Sequence, residues 1–153
     1  MRTLEPWVGP PLDAFLAESS ARLVLLMTSA GQVVAQHGFA RSLDVMAASA
    51  LGAGIVASTA EVARLMGEPE FGALVHQGAG HGLFISSFET SRGRWIALVV
   101  FGEETTVGLV QLFFGRLCAD LRAAAPPDQP RGPVLAENFE HDLNASLHAL
   151  FGR

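Results

Sequence analysis

Between Asp44 and Glu61 the chain carries no charge, and most side chains there are Ala, Gly, Ser or Thr. The pattern predicts one long helix over residues 42–67. Ser42 serves as N-cap, Asp44 lies in the first turn and Arg64 in the last, Gly67 is the first residue past the end, and Pro69 follows. Two rows run along it at helical spacing. Leu51, Ile55, Ser58, Val62 and Leu65 form a bulky row, expected against a sheet. Met46, Ala50, Ala53, Ala57, Ala60 and Arg64 form a small, flat row about 100° round, expected to let another backbone come close. A helix without a polar face is normally covered on more than one side. The reading is a helix that packs inward on its own domain and outward on another molecule. Gly52 and Gly54 each cost up to about 1 kcal/mol against Ala in a helix interior. Close helix–helix approach is the expected offset.

Other readings carry less. The uncharged run is shorter than the roughly 18–20 residues of a membrane span. Gly52-Ala53-Gly54-Ile55-Val56-Ala57 fits G-x-G-x-x-A, but dinucleotide-binding glycines follow a strand and open a helix, whereas these sit in mid-helix. The plain alternative is the buried central helix of a monomer.

With 153 residues the chain suffices for one domain with a real core plus an appendage. Half the residues are hydrophobic and mean hydropathy is +0.34, a globular composition leaning towards buried interfaces. A net charge of -5 argues against a general nucleic-acid or anionic-membrane surface. All ten basic residues are Arg. Without Lys there is neither a P-loop nor a lysine Schiff base. Cys118 is the single cysteine, so no internal disulfide or thiolate metal cluster forms. The N-terminus lacks an apolar signal region, and the expected compartment is cytoplasmic.

The expected domains are an arm at 1–10, a body at 11–124, a Pro-rich linker at 125–133 and a tail helix at 134–153. In the body, a short helix over 11–19 precedes strands at 22–28 and 33–37. The long helix is followed by strands at 71–76, 83–89 and 94–101. Thr105 or Thr106 then caps a helix to about residue 124, its inward row Leu109, Leu112, Phe113, the Arg116 stem, Leu117 and Leu121. This order implies an α+β sandwich with an antiparallel sheet. The linker's prolines make it extended and semi-rigid. The tail carries Leu135, Phe139, Leu143, Leu147, Leu150 and Phe151 as an apolar stripe.

The residues themselves show no active site. His76 and His81 lie across a glycine turn and supply only a fragment of a zinc site, so they read as solvated. Ser19-Ser20 and Ser86-Ser87 lack the G-x-S-x-G setting of a nucleophile. Glu103-Glu104 precedes a helix N-terminus, where a solvated pair favours the dipole. Arg92 and Arg94 flank a turn and are weak arginine-finger candidates. No catalytic residue, metal or cofactor is assigned.

The helix ending Ala63-Arg64-Leu65-Met66-Gly67-Glu68, followed by Phe71 and His76-Gln77-Gly78, resembles the roadblock/LC7 domain family. The segments Leu98-Val99-Val100-Phe101 and Thr105-Thr106-Val107-Gly108-Leu109-Val110 continue the likeness, which covers about residues 12–124. The Pro-broken tail with its acidic, Phe/Leu-rich end is similar to the MglB-like branch, bacterial partners of a small Ras-like GTPase of the MglA type. One departure is Leu51-Gly52-Ala53-Gly54-Ile55, where relatives often have L-x-A-G-N. Another is Glu103-Glu104, where a positive charge is carried elsewhere in the family.

The resemblance implies a profilin-like sandwich: five antiparallel strands, the long helix on one face and two helices on the other. It implies a homodimer through Met46, Ala50, Ala53, Gly54, Ala57, Phe71, Leu74 and His76. It further implies GTPase contacts by Ala60, Glu61, Arg64, Phe139, Leu143, Leu147, Leu150 and Phe151. The implied role is regulation of GTP hydrolysis, nucleotide exchange or both, in cell polarity and motility, in the cytoplasm and concentrated at a pole. Two alternatives remain: a scaffold dimer that recruits proteins, and a small-molecule sensor with a deep apolar pocket.

Overall fold

The structure, a computed structural model, describes residues 2–3, 5–41, 43–127 and 143–150. Six strands form one antiparallel sheet in the order β1-β3-β2-β6-β5-β4. They are β1 Arg2–Thr3, β2 Leu23–Thr28, β3 Val33–Gly38, β4 Ala73–Gln77, β5 Gly82–Thr90 and β6 Gly93–Phe101. The helices are α1 Gly9–Ser19, α2 Val45–Leu65 and α3 Val107–Ala124. The five strands expected from sequence are all present, and β1 adds a short sixth at the β3 edge, pairing Arg2 with Gln36.

β2 and β6 are central and nearly continuously apolar because helices cover both of their faces. α1 and α3 close one face over Val24, Leu26, Phe84, Phe88, Trp95 and Val99. Aromatic rings fill that layer. Phe84 meets Phe114 edge-on at 5.1 Å between centroids, and Phe88 meets Phe114 at 5.7 Å. α2 lies over the other face, above Leu25, Met27, Ile85, Ile96 and Leu98.

Residues 6–10, expected within the N-terminal arm, pack on this body. Pro6–Val8 is a turn of 3-10 helix that runs into α1 at Gly9, two residues before the expected start. Val8 is fully buried, and Trp7 stacks on Trp95 at 5.8 Å. Burial of those side chains continues the helix through Pro10 and Pro11, whose missing N–H groups are unneeded in a first turn.

α3 starts where expected, Thr106 Oγ1 accepting from Leu109 N. Its inward row keeps Leu117 and Leu121 from the expected one but not Leu109, Leu112 or Arg116. Val110, Phe114, Leu117, Cys118 and Leu121 are buried, while Leu109 and Leu112 point outward. Both rows contain leucines at helical spacing. The sheet selects the one holding Phe114, which fits between Phe84 and Phe88.

α2 ends as expected in a Schellman motif. Glu68 N donates to Ala63 O at 2.9 Å and Gly67 N to Arg64 O at 3.2 Å, with Gly67 at a φ of 77°. Its N-cap is Asp44, whose carboxylate accepts from Ala47 N at 3.1 Å. Ser42, the expected cap, lies outside the described residues, as do 128–142 and 151–153 of the linker and tail. Residues 143–150 are helical, with Leu143, Leu147 and Leu150 exposed.

Candidate protein interaction surface

The face of α2 seated on the sheet is neither of the two rows singled out in the sequence. Ser49, Gly52 and Ala63 are buried, with Val56 and Thr59 half-buried beside them. This strip runs between the two expected rows. Gly52 explains it: a Cβ there would stand 3.3 Å from Leu98 Cδ1 and 3.4 Å from Met27 Cε. The small residue lets the helix backbone settle on a layer of large strand side chains. The close approach expected between helices is therefore made here between helix and sheet. Spacing alone carried the signal, since 49, 52, 56 and 63 also repeat at three and four.

The bulky row consequently faces away. Leu51 is 68% exposed and Leu65 73%, and Ser58 and Val62 are exposed beside them. Ile55 alone of that row is half-buried. The small row is open too: Met46, Ala50, Ala57, Ala60 and Arg64 are exposed, and Ala53 is half-buried against the sheet. Gly54 points outward, with nothing within 4 Å of a Cβ built on it. By length and composition α2 meets the requirement for a membrane span, its most apolar 18 residues having a mean hydropathy of 1.5, where the uncharged stretch alone reads as too short. Its seat on Met27 and Leu98 nonetheless fixes it to the sheet, and the remaining surface is an apolar ridge.

β4 extends that ridge. It is an edge strand, paired only with β5, and its outer backbone groups have no strand neighbour among the described residues. Phe71, just before it, and His76 are exposed, and Leu74 is half-buried on the α2 side. Between α2 and β4 runs a groove of about 480 Å³ lined by Ile55, Val56, Thr59, Phe71, Leu74 and Ile85. Of the eight expected self-association residues, Met46, Ala50, Gly54, Ala57, Phe71 and His76 are exposed, and Ala53 and Leu74 are half-buried. Ala60, Glu61 and Arg64 lie towards the C-terminal end of the same helix, Arg64 bonded to Glu61. Of the expected tail contacts, Leu143, Leu147 and Leu150 are described; Phe139 and Phe151 lie outside the described residues.

The arginines weighed as fingers are held. Arg94 bonds Glu89 at 2.7 Å, Ser87 Oγ at 3.0 Å and Glu70 as well, and these carboxylates raise its pKa. Arg92 Nε lies 3.6 Å from Glu5 Oε1. Glu104 is not the free partner of Glu103: Arg22 Nε meets it at 2.8 Å and Nη2 at 3.1 Å, holding its carboxyl below the usual range. The pairing links β2 to the loop before α3, a contact without a sequence signal. His76 and His81 are exposed, and no group of metal-ligating side chains forms among the described residues.

An antiparallel sheet with one long helix on one face and two on the other matches known structures. MglB from Myxococcus xanthus is 28% identical at a TM-score of 0.68, covering 76% of this chain and 92% of its own. The gliding protein MglB from Thermus thermophilus is 28% identical at 0.68, covering 78% and 89%. The fold is MglB-like roadblock/LC7. A roadblock/LC7 domain from Streptomyces avermitilis shares that fold at a TM-score of 0.63 and 16% identity, covering 80% of this chain and 97% of its own. An MglB solved in a tetrameric arrangement matches this MglB-like chain at 28% identity, a TM-score of 0.68, and coverage of 77% and 87%. No family model and no curated protein matches the sequence.

Proposed function

We propose that this chain is a homodimeric regulator of a small Ras-like GTPase of the MglA type. The observation that carries the reading is the uncovered apolar ridge of α2 and β4 on an MglB-like fold. Two copies would pair their α2 helices and β4 edges, covering the ridge of each. The GTPase would dock across the paired helices, near Ala60, Glu61 and Arg64, with the tail helix as a second, tethered contact. The effect is on hydrolysis, exchange or both, exerted by ordering the switch loops of the GTPase. Arg94 favours this mechanism, since its two carboxylate partners leave it unsuited to insertion beside a nucleotide. The role follows as polarity and motility control in the cytoplasm.

The test is GTP turnover by a purified MglA-type GTPase with this chain and with Ala57→Arg. The native chain should be a dimer by light scattering at micromolar concentration and should change the rate of hydrolysis or exchange. Ala57→Arg should be a folded monomer that does neither. Arg92→Ala and Arg94→Ala should keep any activation within a few fold; a loss of about 10³-fold from either would reveal a finger. Binding without a rate change would favour a recruiting scaffold.

A further inference from the structure

The two sides of the sheet end in strands of like composition and unlike surroundings. On one side β4, Ala73–Gln77, has no strand neighbour beyond it among the described residues. On the other, β3, Val33–Gly38, is covered by β1, a strand of only two residues. Neither β3 nor β4 contains Asp, Glu, Lys, Arg or Pro. Those are the residues by which an edge strand ordinarily repels a second strand, so neither strand protects itself. We propose that β1 is a guard: it closes the β3 edge against pairing with a second copy of this chain.

Its placement makes two residues enough. Arg2 lies opposite Gln36 and Thr3 opposite Ala35, in the middle of β3. Beyond them only Val33 and Val34 remain at one end of β3, and His37 and Gly38 at the other. Stretches that short cannot hold separate chains together, since even an isolated hairpin is marginal in water. β1 in turn offers a poor edge. It is short and carries Arg2, and Pro6, which lacks an N–H, opens the 3-10 turn soon after it. The residues that follow β1 are tied to the body. Val8 is fully buried, Trp7 stacks on Trp95, Trp7 Nε1 donates to Glu5 Oε2 at 2.8 Å, and Arg92 Nε lies 3.6 Å from Glu5 Oε1. This tether keeps β1 at high local concentration beside β3.

A second copy fits the edge once it is bared. Two β3 strands related by a two-fold axis through the sheet pair antiparallel with Gln36 opposite its own copy and Ala35 opposite His37. No Asp, Glu, Lys or Arg meets its like in that register. Where the chain also self-associates through α2 and β4, as proposed above, the guard sets the size of the assembly. One open edge per chain closes at a pair, whereas two would join pairs end to end into an open-ended fibre. Only that consequence rests on the earlier reading; the closure of β3 does not.

The test compares the full chain with one in which a starting Met replaces residues 1–4, by sedimentation velocity at micromolar concentration. Each is made with Ala57 and with Ala57→Arg. With Ala57→Arg the full chain should be a monomer and the shortened chain a dimer. With Ala57 the full chain should stop at a dimer and the shortened chain should run on to larger species. Gln36→Lys sets like charges opposite one another at the centre of the new contact. It should return the shortened Ala57→Arg chain to a monomer. Where the shortened chain lacks native circular dichroism, Arg2→Pro with Thr3→Pro in the full chain removes the N–H groups of the guard and leaves Trp7 and Val8 in place. That variant should show the same shifts. An unchanged mass in both backgrounds, or growth that survives Gln36→Lys, overturns the proposal. A monomeric full chain with Ala57, beside a shortened chain that dimerises, would sink the α2–β4 self-association and leave the guard standing.

Discussion

The two faces of the sheet are built on opposite principles. The α1/α3 face buries Phe84, Phe88, Trp95 and Phe114 in a closed aromatic layer that needs nothing from outside. The α2 face is covered by a helix whose fully buried residues are Ser49, Gly52 and Ala63, with Ile55 and Val56 half-buried, and whose Met46, Leu51, Val62 and Leu65 point away. Small residues bring the backbone down onto the sheet and leave the bulk of Leu51, Val62 and Leu65 for something else. One face is finished within the chain, and the other leaves large apolar side chains uncovered. An uncovered apolar surface of this kind is where the proposed self-association would occur.

The closed face gives the largest expected effect. Phe84→Ala should lower stability by about 3–5 kcal/mol in urea unfolding, because the ring is fully enclosed and its neighbours cannot collapse into the space. A loss below about 1 kcal/mol would mean that the aromatic layer is not close-packed.

The two glycines of α2 separate its two sides. Gly52→Leu should cost about 1–3 kcal/mol by forcing the helix off Met27 and Leu98, whatever the state of assembly. Gly54→Ala has open space in the single chain, and there it should stabilise the helix by about 0.5–1 kcal/mol. In the proposed dimer the added methyl would meet the second copy. Sedimentation should therefore show weaker self-association for Gly54→Ala while unfolding at high dilution shows a gain. Equal or stronger association would place the interface elsewhere on the ridge.

The smallest effect is electrostatic. Glu104 is held below the ordinary carboxylate range chiefly by its bond to Arg22. A carboxyl with a depressed folded pKa contributes stability above its unfolded value, and that contribution fades as pH falls through the folded one. The pair is exposed, so the contribution is small. Glu104→Gln should lower Tm slightly near pH 7, and the gap from the native chain should close in acid. A gap that persists unchanged at a pH of about 2 would assign the loss to packing instead of charge.

Element order, the hairpin of β2 and β3, the Thr106 cap and the Gly67 stop were legible in the sequence, because each rests on local chemistry within a few residues. So was the unusual character of α2, since no arrangement gives an uncharged helix a wet face. The sequence left open which strip of each helix faces inward. In α2 and α3 several rows have the right period, and the choice between them depends on what the sheet presents: Met27 and Leu98 leave little room beyond Gly52, and the space between Phe84 and Phe88 takes Phe114. The Arg22–Glu104 and Arg94–Glu70–Glu89 pairings also arise only when distant segments meet, because a charge pair across strands has no period to read. Periodicity fixed the elements and their apolar content; complementarity of shape between layers decided which apolar side chains went into the core and which were left for a partner.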